Sequence, residues 1–107
     1  MNSDFDWIET QCQHVDEDVK HIVRVCRYFG HKTIQSYVDK LKTIRDKHKE
    51  KIEQMHPNYS RREERIEYYQ GKMDALDKRI PTIQLMADTY PDETYKLWKK
   101  LIEYESR

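Results

Sequence analysis

The chain has 107 residues, enough for one domain spanning 1–107, and its 20 basic and 20 acidic side chains cancel to a formal net charge of zero. That balance removes the global positive charge that usually marks a nucleic-acid-binding domain. No apolar run approaches the ~20 residues needed to cross a bilayer, and the start MNSDFDWIE is acidic where a secretion signal is basic, so a cytoplasmic protein is expected.

With two glycines and three prolines there are few places for tight turns, which favours a few long helices over many short strands. The expected fold class is all-α: an antiparallel helical hairpin or bundle of three to five helices with coiled-coil-like heptad packing. Helix 1 is expected over about 4–29, where Phe5, Ile8, Cys12, Val15, Val19, Ile22, Cys26 and Phe29 recur at spacings of three and four. Ser3 or Asp4 can cap its start and Gly30 can supply the left-handed residue that stops it. On one helix Cys12 and Cys26 are about 21 Å apart at 1.5 Å per residue, too far to bond to each other or share a metal.

Thr33 can cap a second helix over about 33–55, striped by Ile34, Tyr37, Val38, Leu41, Ile44, His48, Ile52 and Met55 and ended by Pro57. Ser60 with Glu63 predicts a capping box opening a third helix over about 61–79, striped by Ile66, Tyr69, Met73, Leu76 and Ile80. Pro81 either kinks that helix or opens a short one over about 82–90, and Pro91, followed by Asp92 and Glu93, opens the last over about 91–105.

Charge is segregated along the chain. Residues 1–19 hold six acids and no Lys or Arg, whereas 20–51 hold ten bases and three acids. A hairpin turning near residue 31 lays Asp4, Glu9, Asp16 and Asp18 beside Lys40, Lys42, Lys47, Lys49 and Lys51, at positions where partner helices exchange ion pairs. The basic run KLKTIRDKHKEK is then matched within the chain, at a few tenths of a kcal/mol per exposed pair.

The last helix carries more apolar surface than one core contact needs. Leu97, Leu101 and Tyr104 form a stripe that Tyr95, Trp98 and Ile102 extend to nearly half the circumference, and helix 1 has a similar surplus at Trp7, Ile22, Val25 and Phe29. From this we expect a small intracellular protein–protein interaction protein, an adaptor or inhibitor of a larger protein, self-associating as a homodimer. Tyr95, Trp98, Lys99 and Ile102 form the partner-binding face, because buried aromatics supply contact area and charged neighbours set orientation.

The alternative is a nucleic-acid-binding regulator in which Lys40, Lys47, Lys51, Arg61, Arg62 and Arg65 track phosphates. No phosphate-cradling glycine loop or nucleophile motif is present, so no enzyme and no cofactor is expected. His14, Asp18 and His21 share a helical face, but His48 points into its own stripe, so no metal site is expected.

Overall fold

The computed structural model describes residues 19–105. Among them the chain is all-α with no strand: α1 (Val19–Tyr28), α2 (Ile34–Glu53), α3 (Arg62–Thr89) and α4 (Thr94–Glu105). No helix among these residues is long and apolar enough to cross a membrane. Asp4, Glu9, Asp16 and Asp18, the acids proposed to face the basic run, lie outside the described residues, as do Trp7, Cys12 and His14.

Gly30 ends α1. Its φ of 75° turns the chain so that the His31 N–H reaches the Cys26 carbonyl at 2.7 Å and the Gly30 N–H reaches that of Arg27 at 3.2 Å, which satisfies two carbonyls of the last turn. Thr33 then caps α2: its hydroxyl oxygen accepts the Ser36 N–H at 3.1 Å. Ser60 does not cap α3, contrary to the spacing. The cap is Arg61, whose guanidinium is a donor only and makes no side-chain cap bond; the turn before it closes on its own backbone, with the Tyr59 N–H on the His56 carbonyl and the Arg62 N–H on that of Tyr59. Glu63 and Glu64 in the first turn still complement the helix dipole.

Pro81 neither ends α3 nor opens a new helix. A proline interior to a helix lacks the N–H that would bond four residues back, to Asp77 here, and crowds that carbonyl. Pro81 lies on the exposed side of α3 while Leu76, Ile80, Ile83, Met86 and Ala87 around it are buried, so packing on both sides of the break holds the helix continuous to Thr89.

The long partner of α2 is α3, with α1 a lesser neighbour at the junction, so the expected pairing of helices 1 and 2 is not the main contact of the described chain. The two long helices run antiparallel. Gln35 and Gln84 exchange amide hydrogen bonds of 2.6 and 3.3 Å near one end, Arg45 reaches Asp77 at 3.2 Å midway, and the buried His48 ring lies 5.4 Å from that of Tyr69 toward the connecting turn. Between them Ile34, Tyr37, Val38, Leu41 and Ile83 are fully buried. Arg45 of the basic run is therefore matched by α3, and Lys51 lies over the Tyr69 ring at 5.3 Å.

The main neighbour of α1 is α4. Ile22, Val23, Val25 and Cys26 of α1 and Leu97 of α4 are buried in the common core, with Phe29, Trp98 and Leu101 packed against it, so part of the apolar surplus of each helix is covered while Tyr95 stays exposed. Burial pushes the Cys26 thiol up to about 12, leaving it protonated and inert as a nucleophile. Because α1 ends where α2 begins, α4 begins where α3 ends, and Thr94 of α4 meets the linker at Lys32, the α1–α4 pair lies at the end of α2–α3 remote from the turn.

A clamp joins α4 to the linker after α1. The Thr94 N–H donates to the Lys32 carbonyl at 2.7 Å and its hydroxyl to the His31 carbonyl at 2.9 Å, with Thr94 buried. At this junction burial, and then the positive charge of Lys40, holds the His31 imidazole below its ordinary range. A histidine depressed in the folded state is neutral there while the unfolded chain takes up protons, so its contribution is intact above its unfolded value of 6.5 and is lost as pH falls through the folded one. Urea midpoints are expected to fall between about pH 7 and pH 5.5. The decline should be shallower in His31→Gln, and an equal slope in the variant contradicts this assignment.

Candidate protein-binding face

On α1, Arg24 and Arg27 are three residues apart and share a face; on α4, Tyr95, Trp98 and Lys99 stand at the same helical spacings. Packing of α1 on α4 brings the two sets together. Both guanidinium groups lie over the Trp98 ring, Arg24 at 5.6 Å and Arg27 at 5.3 Å, and Arg27 also lies 5.8 Å from the Tyr95 ring. Lys99 covers Tyr95 at 4.9 Å. Each such contact contributes about 0.5–1 kcal/mol at an exposed site.

Trp98 is partly buried against the core, whereas Tyr95 is 55% and Tyr28 77% exposed. Arg24, Arg27, Tyr28 and Trp98 line an open depression of about 340 Å³. Among the described residues no acid lines it, and the Asp92 carboxylate of the same end is paired with the Lys100 ammonium at 3.4 Å. The face is thus aromatic at its floor and rim and positive above, fitted to a ligand that is negative and partly apolar.

Of the residues expected on this face, Tyr95, Trp98 and Lys99 stand together, and the side chain of Ile102 lies outside the described residues. Comparison with family models, curated proteins and solved structures finds no match to this chain. Three members, Arg24, Arg27 and Tyr28, escape the sequence reading. Their one signal is the RVCRY spacing, which places two arginines on one face, but nothing in the sequence says that this face meets α4.

The alternative set is only partly brought together. Lys51 and Arg65 meet over Tyr69, Arg61 is turned toward Glu64 at 3.7 Å, Arg62 is half-buried, and Lys40 and Lys47 each have a contact of their own. Among the described residues no group of three His, Cys, Asp or Glu converges on one point, and His14 and Asp18 lie outside them.

Proposed function

We propose that this is a small protein–protein interaction protein, an adaptor or inhibitor, whose α1–α4 face docks on an acidic surface of a larger protein. The observation that carries this is the pair of exposed tyrosines, Tyr28 and Tyr95, set round a Trp98 ring that lies under two arginines. Aromatic rings supply large contact area at little entropic cost. Arginine forks fit carboxylates, speed encounter and reject basic partners.

Self-association through the same face is disfavoured in this scheme. A two-fold contact would set Arg24 and Arg27 against their own copies, like against like. The antiparallel bundle with coiled-coil-like packing belongs to the same proposal. It is supported by the burial of Ile34, Tyr37, Leu41, Ile44 and His48 at spacings of three and four.

Peptides rich in Asp and Glu and carrying Phe or Leu anchors should bind the wild-type protein with salt-sensitive affinity in fluorescence anisotropy. The double variant Arg24→Glu with Arg27→Glu should lose at least about tenfold at unchanged helicity, since truncating one side of a desolvated charge pair costs 2–5 kcal/mol. Equal affinity in the variant rules out the face.

A further inference from the structure

At the opposite end of the molecule a second group of rings and cations has no part in the face just described. Starting from the Arg61 cap, Arg65, Tyr68, Lys72 and Arg79 recur along α3 at helical spacing and form one stripe, while Glu63, Glu67, Gln70 and Asp74 form another that opens on a separate depression. The acids of α3 are therefore turned away from its basic flank, and Glu64, at the edge, pairs with Arg61.

The basic flank adjoins Lys51 of α2. Lys51 lies 5.3 Å and Arg65 5.8 Å from the Tyr69 ring, and Arg65 at 5.9 Å and Lys72 at 4.9 Å from that of Tyr68. Beside them Lys51, Met55, His56, Tyr59, Arg65 and Tyr69 line an open depression of about 330 Å³ that, among the described residues, contains no acid. Tyr68 is 51% and Tyr59 45% exposed, so two aromatic rings stand partly in solvent, Tyr68 beside Arg65 and Tyr59 in the same depression as both cations.

We propose that this end binds single-stranded nucleic acid, with bases stacked on Tyr59 and Tyr68 and phosphates held by Lys51 and Arg65. Exposed rings interleaved with cations are what an unpaired strand needs: every base offers a π-face and every linkage a negative charge. A duplex keeps its base faces closed and leaves the tyrosines unused. An acidic peptide would satisfy the cations but has no planar groups at regular spacing for the rings.

The test is fluorescence anisotropy of the full chain with labelled oligothymidylate of about eight nucleotides. A duplex and an oligoglutamate serve as comparison probes, each at about 50 and about 200 mM salt. Oligothymidylate should bind more tightly than either and weaken as salt rises. Tyr68→Ala should weaken it about tenfold, the loss of one stacked base. Lys51→Glu with Arg65→Glu should weaken it further and flatten the salt dependence, while Arg24→Glu with Arg27→Glu should leave it unchanged. Circular dichroism of each variant checks the fold, and Tyr59→Ala, which removes the second ring, should weaken binding about tenfold as well. Absence of binding at low salt overturns the proposal. So does duplex binding of equal strength that is indifferent to Tyr68→Ala, which is phosphate tracking alone, and so does tighter binding of oligoglutamate, which assigns this end to an acidic protein.

Discussion

Ile83→Ala is expected to destabilise the protein by about 3–4 kcal/mol, a large share of the 5–15 kcal/mol that holds a typical domain together. Ile83 is fully buried at the α2–α3 contact, two residues beyond Pro81. Truncation removes apolar area and leaves a cavity that two helices fixed by the Gln35–Gln84 and Arg45–Asp77 contacts cannot close by moving together. The missing hydrogen bond at Pro81 sharpens the effect, because the last third of α3 is held by packing on both sides of that break. Unfolding followed by circular dichroism should show the midpoint shift, and amide exchange should rise first after Pro81. Leu85→Ala, at a position 67% exposed on the same helix, serves as control and should change stability by less than about 0.5 kcal/mol. A loss below about 1 kcal/mol at Ile83 contradicts the packing described here.

Trp98→Ala should cost about 2–3 kcal/mol, less than a fully buried tryptophan and far more than a surface residue. From the sequence Trp98 is an anchor awaiting a partner, so its removal leaves the fold alone and abolishes association. In the structure the ring rests partly on the core and carries Arg24 and Arg27 on its face, so the same substitution removes packing and two cation–π contacts together. The readout separating these terms is a double-mutant cycle with Arg27→Ala: a coupling of about 0.5–1 kcal/mol between Trp98 and Arg27 is expected in unfolding free energies. Zero coupling means the guanidinium–ring contact does not form in solution. Tyr95→Ala, half in solvent, should cost about 1 kcal/mol through its contacts with Arg27 and Lys99, less than Trp98→Ala, and should weaken binding as well.

Local chemistry was legible in the sequence where it was complete within a few residues. Thr33 ahead of Ile34 announces a cap, Gly30 after Phe29 announces a left-handed stop, and the stripe from Ile34 to His48 announces the buried face of α2, all without reference to the rest of the chain. Ser60 with Glu63 fits a capping box equally well, but backbone bonds within the preceding turn meet the same need and the helix starts at Arg62. Pro81 reads as either a kink or the start of a new helix because proline weakens a helix locally; packing of Ile80 and Ile83 keeps one helix through it, and no window of a few residues contains that information.

Helix pairing was the least legible feature. Opposite charge along two segments favours their association but does not say which segment lies along α2 for its full length, and Asp77 of α3 answers Arg45 as well as an acid from the start of the chain could. The proposed binding face was legible by halves for the same reason. Tyr95, Trp98 and Lys99 announce themselves as aromatic and basic surplus on a short helix, whereas Arg24 and Arg27 acquire a role only once α1 is laid against α4.

The central claim is that the α1–α4 face takes an acidic partner while the turn end does not. The two tryptophans give two indole N–H signals, of which that of Trp98 lies at the face, so nitrogen–proton correlation spectra during titration with an anchored acidic peptide test the claim at single-residue resolution. The expected result is saturable movement of the Trp98 indole and of the Arg24, Arg27 and Tyr95 amides, suppressed by salt, with Tyr59 and Tyr68 unmoved. A Trp98 indole that stays still while signals of the α2–α3 turn shift, or no shift anywhere at saturating peptide, contradicts it.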